Sequence, residues 1–263
     1  MANDRAVKYG ETTEQIYLEE LVARFESTAF IDSDPISIPH GFDDPRDQEV
    51  IGLLAALLAW GQRRTILAKM AELCERMDYR PYEFVVGFDP ERDRAKLGGF
   101  KHRTFRQEDA FWLIHNLGVL LRRHGSVEEL FARHLPDGAL DVASAIQGFS
   151  ESVMAAHPDT PRRLQNHLAR PSTGSACKRL NMYLRWMVRT GPVDLGIWRR
   201  ISTRRLMLPL DVHCGRQARL LGMLERKQND WRACVELTAN CRKLNPNDPA
   251  RYDFAFFGLG VNS

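Results

Sequence analysis

Apolar residues in this chain recur at helical spacing almost from end to end, and the alternation that builds a half-buried strand is nearly missing. The clearest case is Asp44-Pro45 followed by RDQEVIGLLAALLAW, an apolar run opened by a favoured helix cap with proline at the first helical position. Gly61 ends that run, and QRRTILAKMAELCERM continues as an amphipathic helix. Further helices are predicted from Glu14 to Phe25, over 106–124, 126–134 and 138–156, and over KRLNMYLRWMVR, which follows the polar hinge RPSTGSA. A short helical piece near Leu195–Arg200 leads to the apolar stretch Leu206–Leu210. Asp211 then opens DVHCGRQARLLGML, Asn229-Asp230 caps WRACVELTANCRKL, and Asp248-Pro249 starts PARYDFAFFGLG. This pattern predicts an all-α chain, with a turn over Pro171–Lys178 joining two short helices.

The 263 residues, 44% of them apolar, suit one large helical unit or two closely packed lobes, so residues 1–263 are read as a single unit with a seam near 158–172. No apolar run reaches membrane-spanning length, and MANDRAVKYGETTEQ lacks a signal-peptide core. The five cysteines are scattered and odd in number, which argues against a disulfide framework and for a reducing cytoplasm. The net charge of +3 conceals an asymmetry. From Arg162 to Lys227 fifteen Lys/Arg face only Asp194, Asp211 and Glu225, a balance of +12, which leaves −9 for the rest. Solvated helix faces are the bland account of such a bias. Its persistence over several helices favours a surface for a polyanion.

The segment richest in chemistry is Pro209-Leu210-Asp211-Val212-His213, followed by Arg216 and Arg219. An aspartate at a helix start is first of all a cap, worth about 1 kcal/mol. The whole phrase, however, resembles the aspartate signature of the helix-hairpin-helix DNA glycosylases. In that superfamily the aspartate stabilises cationic charge at the anomeric carbon, or helps activate a nucleophile, as the base departs. Upstream, Pro171-Ser172-Thr173-Gly174-Ser175-Ala176-Cys177-Lys178 resembles the hairpin that supplies backbone N–H groups to phosphate and, in bifunctional members, a lysine nucleophile. Ser172 stands where the first hairpin glycine is usual. The 33-position separation of Lys178 from Asp211 is similar to that of the archaeal oxoguanine glycosylase branch.

The same resemblance reaches both ends of the chain. DPRDQEVIGLLAALLAWGQRRT resembles an early element in which Gln62 takes the place of a residue that fills the gap left by an extruded base. Asp253 and Phe257, four apart on one helix face, match a base-reading polar residue and a stacking aromatic, although an aromatic on a helix is as readily core. The chain is also similar to a bacterial family of unknown function with KRLNMYLRWMVR as its hallmark.

The resemblance implies two helical lobes flanking a cleft, with the hairpin and Asp211 at its mouth. Its chemical pair is Lys178 and Asp211; Asp253, Phe257 and Gln62 read the base; Gly174, Ser175, Arg179, Arg185, His213, Arg216 and Arg219 hold DNA. Cys234 and Cys241 are spaced like the opening of the iron–sulfur loop of some glycosylases, but no further cysteine follows to complete the ligand set, so no cluster is expected. The histidines form no ligand pattern either, and the one ion this reading admits is a monovalent cation on hairpin carbonyls. The implied activity is excision of an oxidised purine, 8-oxoguanine first, from double-stranded DNA by base flipping, with lyase chemistry if Lys178 attacks the sugar. A monomer working on the nucleoid, away from any membrane, is the implied state. Two rivals stay open: a non-enzymatic DNA-binding protein on the same fold, and a helical scaffold whose basic face binds acidic protein.

Overall fold

A computed structural model describes residues 13–261; the N-terminal stretch 1–12, on which the signal-peptide reading bears, lies outside them. Helices dominate, as the periodicity predicts. The first five are α1 (Thr13–Phe25), α2 (Ser37–His40), α3 (Pro45–Leu58), α4 (Arg63–Arg76) and α5 (Pro81–Val86). A minimal antiparallel hairpin follows, β1 (Lys101–His102) against β2 (Phe105–Arg106), with His102 opposite Phe105. Next come α6 (Gln107–His124), α7 (Val127–Ala132), α8 (Ala143–Ala155), α9 (Lys178–Val188), α10 (Val212–Leu220), α11 (Trp231–Leu244) and α12 (Asp253–Val261). No other strand occurs among the described residues, and none of their helices is long and apolar enough to cross a membrane.

Why α3 lies at the centre follows from its composition. All ten residues from Glu49 to Leu58 are buried, so beyond its first turn it has no solvent face, and α2, α4, α5, α7 and α9 pack around it. Each buried leucine in it contributes about 1.5–3 kcal/mol. Its start is fixed by Asp44, whose carboxylate accepts the Arg46 N–H at 2.8 Å, with Pro45 at the first helical position. Glu49 on α3 is buried, yet both its oxygens are used. They accept the N–H groups of Val127 and Glu128 at the start of α7 and the indole N–H of Trp198. Burial pushes this carboxyl above its usual range, while helix N–H donors offset part of the cost. Tyr183 of α9 donates its hydroxyl to the Glu49 carbonyl at 2.9 Å, tying α9 to α3.

One apolar cluster runs from Leu18 to Phe256 and draws on residues from both sides of 158–172. The 3-10 turn Arg162–Asn166 in that stretch packs against α6 and α8. Toward the end of the chain, α12 packs on α10 and α1. One expected element does not form. Residues 195–200 make no helix; Gly196 sits at φ +58°, and the Leu195 and Gly196 N–H groups both reach the Trp186 carbonyl in an extended return past α9. The final helix is also split, a 3-10 turn over Pro249–Tyr252 preceding α12. All five cysteines are free and buried.

Candidate functional site

Lys178 is the first residue of α9, and the turn before it is held from several sides. Pro171–Thr173 forms one 3-10 turn, and Gly174 follows at φ +79°, a left-handed conformation in which glycine has no steric penalty. The Gly174 carbonyl accepts the Trp231 N–H from α11, and the Ala176 carbonyl accepts the Asn181 side chain from α9. Ser175 pairs with Asp230 in an isolated bridge, and its carbonyl accepts the Cys177 thiol. These oxygens hold the turn itself in place. Among the described residues no group of three or more His, Cys, Asp or Glu is arranged to hold a metal.

Asp211 caps α10, its Oδ1 accepting the Cys214 N–H at 2.9 Å. The structural role therefore uses one oxygen. The other, Oδ2, lies 3.7 Å from Lys178 Nζ, and both side chains are about a quarter exposed, at 24% and 28%. Thirty-three positions apart in sequence, they meet because the extended segment before Asp211 brings the start of α10 back beside the start of α9.

Both residues line a cavity of about 620 Å3. Its walls come from five places: Phe30, Asp34 and Pro35; Ala59, Trp60, Gly61, Arg63 and Ile66 at the α3–α4 junction; Lys178, Met182 and Arg185 on one stripe of α9; Pro209, Asp211 and His213; and Asp253, Phe254, Phe257 and Gly260 on α12. Three carboxylates and three cations thus share a wall otherwise aromatic and apolar. A volume of this size suits a small organic ligand or a nucleotide.

The structure brings six of the twelve expected site residues to this cavity: Lys178, Arg185, Asp211, His213, Asp253 and Phe257. Asp253 and Phe257 both face the cavity from α12. Asp253 is buried, accepts a hydrogen bond from Arg185 Nη1, and is pushed up to about 6 by burial, the Arg185 charge offsetting only part. The Phe257 ring meets Phe30 edge-on, with centroids 5.8 Å apart, and lies under the Arg63 guanidinium. Gln62 is exposed between two wall residues, Gly61 and Arg63, without itself lining the cavity. His213 lines the mouth, and Arg216 lies exposed on the same helix.

The expected role of Arg185 as a phosphate contact is corrected. Its side chain is 4% exposed, and it bridges Asp194, at 3.2 Å, to Asp253. Arg189 extends this internal network to Asp194, Asp248 and Glu26. Burial alone would lower the pKa of Arg185, but the carboxylates of Asp194 and Asp253 outweigh it and raise it. The sequence bias counted these arginines as surface, because periodicity shows which face a residue is on but not what covers that face. Two further expected DNA contacts serve the fold in part. Arg219 holds the Arg226 carbonyl and the Asn229 side chain, and Arg179 donates to the Leu57 carbonyl while its guanidinium lies 4.7 Å over the Trp60 ring.

Sequence reasoning missed Asp34, Arg63, Phe30, Trp60 and Met182. Asp34-Pro35 reads as a connector, and the only local sign of a site was Gln62, which sits beside Arg63. Trp60 is held rigidly, its ring packed against His102 and His167 as well as Arg179.

No curated protein and no solved structure matches the chain. A family model described as a protein of unknown function, DUF2400, matches residues 34–262, so every wall of the cavity except Phe30 lies inside the matched region, and the chain belongs to that family.

Proposed function

We propose that the chain is a DNA glycosylase with lyase capacity, built as two helical lobes around this cavity, which releases an oxidised purine from an extruded nucleotide in duplex DNA. The observation that carries the reading is the Lys178–Asp211 pair, 3.7 Å apart at a cavity large enough for a nucleotide. Aromatic walls favour a stacked base, and the exposed basic residues between Arg162 and Lys227 favour phosphates outside.

In this reading the nucleophile is the amine of Lys178 after its ammonium proton has passed to solvent. Its electron pair attacks C1′ of the sugar. The N-glycosidic bond breaks, and the base leaves with the bonding pair and is protonated. Asp211 Oδ2 stabilises the positive charge at C1′ while Oδ1 stays on the helix, so the cap fixes the position of the catalytic oxygen. Loss of a proton and ring opening give a Schiff base on Lys178, from which β-elimination can cut the strand.

Borohydride trapping on duplexes carrying a panel of lesions tests this. Wild type should give a covalent adduct with the sugar of a duplex that carries an oxidised purine; Lys178→Gln should give none, and Asp211→Asn should lose base release while keeping the fold. Full activity in Asp211→Asn would reduce that residue to a helix cap. Duplex binding without cleavage of any lesion would favour a non-enzymatic reader instead.

A further inference from the structure

Asp34 is the third carboxylate of the cavity wall, beside Asp211 and Asp253. It is 7% exposed, lines the cavity, and sits at the junction between the 3-10 turn Thr28–Ser33 and α2. Part of its role is local. Oδ1 accepts the Ile36 N–H at 3.2 Å, and its backbone carbonyl accepts the N–H and hydroxyl of Ser37. Those bonds fix the turn and leave Oδ2 over. The nearest cation to Oδ2 is Arg63 Nη2 at 4.0 Å, beyond hydrogen-bond length. Arg63 also lies over the face of Phe257, its guanidinium carbon 5.4 Å from the ring centroid. A buried acceptor-only group and a donor-only group therefore stand side by side next to the aromatic ring that would stack on a base. Asp253 does not offer the same, because its carboxylate is already held by Arg185.

We infer that Asp34 and Arg63 read the Watson–Crick edge of the extruded base and select 2-amino-6-oxopurines; this rests on the glycosylase reading above. Complementarity decides the class. An ionised carboxylate accepts and a guanidinium donates. A guanine-type edge presents the matching order, the O6 acceptor followed by the N1–H and N2–H donors. Arg63 donates to O6, and Asp34 accepts from N1–H and the 2-amino group. Uracil and thymine set a second carbonyl against the carboxylate, and adenine sets a ring-nitrogen lone pair there. Hypoxanthine keeps O6 and N1–H but lacks the amine. Lesions that alter only the imidazole side of guanine keep the whole edge, so 8-oxoguanine and ring-opened guanine fall in one class. Burial raises the pKa of Asp34, and a base that donates two hydrogens to its ionised form repays that cost.

The test is equilibrium binding of wild type to duplexes with a non-cleavable 2′-fluoro lesion nucleotide opposite an abasic analogue, which removes differences in pairing. 8-Oxoguanine should bind roughly 10- to 100-fold tighter than 8-oxohypoxanthine or 8-oxoadenine, the discrimination a paired edge contact gives. Asp34→Asn keeps an oxygen for the Ile36 N–H but places an amide donor where the guanine edge presents its N1–H and 2-amino donors. It should erase the preference for 8-oxoguanine over 8-oxohypoxanthine, two bases that differ only in the 2-amino group assigned to Asp34. An unchanged ranking in that variant overturns the inference, as does equal binding of 8-oxoguanine and 8-oxohypoxanthine by wild type, a comparison that needs no variant. Cleavage of lesions with no such ranking sinks the edge reading alone. The expected ranking without cleavage of any lesion sinks the glycosylase reading and keeps this one.

Discussion

Replacing Arg185 by methionine separates an internal ion network from a DNA contact. Methionine keeps the unbranched length of the side chain, so the change removes charge and hydrogen bonds with little loss of volume. The carboxylates left behind are 0% and 8% exposed at Asp194 and Asp253. Breaking a buried pair on one side costs about 3–5 kcal/mol. Asp194 keeps Arg189, which donates to it at 2.5 Å, whereas Asp253 loses the partner that holds it. The lower end of that range, about 3 kcal/mol, is therefore expected at pH 7.5. The loss should shrink near pH 5, because Asp253, already pushed up to about 6, then takes a proton and no longer buries a bare charge. The assay is urea denaturation at both pH values, with duplex binding measured over a salt series. Combining Arg185→Met with Asp253→Asn should cost less than the sum of the two single changes, by about 0.5–3 kcal/mol. A variant with unchanged stability whose DNA affinity falls, with a salt slope shallower by about one phosphate contact, would refute the reasoning and restore the arginine to the surface.

Asp253 also sets a pH dependence. Its folded value near 6 exceeds the ordinary 3.8, so the folded chain binds this proton more tightly than the unfolded chain does. The contribution to stability is thus fully present below about pH 4 and is lost as pH rises through 6, by at most about 3 kcal/mol. The difference in unfolding free energy between wild type and Asp253→Asn should follow that course between pH 7.5 and 4; a flat or opposite course would contradict it. Phe257→Ala should weaken binding of an 8-oxoguanine duplex by about 1–3 kcal/mol and binding of undamaged duplex far less. Equal losses on both duplexes would make the ring core packing against Phe30.

The helices were legible where capping chemistry is local. Asp44-Pro45 and Asp230 announce α3 and α11, and in the structure both carboxylates accept N–H groups of the first turn. Leu195–Arg200 misled because its apolar spacing fits a helix, while its N–H groups are claimed by α9 across Gly196. The expectation of Lys178 beside Asp211 came from phrases at two helix starts, which are local features too. Asp34 and Arg63 could not be found this way. They reach α9 and α12 across more than a hundred residues of chain, and neither carries a local pattern that marks a wall. Buried arginines fail for the same reason in reverse, since a charge count treats every Arg between 162 and 227 as surface.

The five buried thiols bear on how the chain meets oxidants. Burial pushes Cys74 up to about 11 and Cys177 up to about 12, and drives Cys214, Cys234 and Cys241 up as well. The thiolate is the form that peroxide attacks, and access limits the rest. At neutral pH this chain presents almost no thiolate at any of the five positions, although Cys177 immediately precedes Lys178 and Cys214 sits one turn into the helix that Asp211 caps. The sulfur nearest the site is buried and held as the thiol, out of reach of oxidants that cap exposed thiolates.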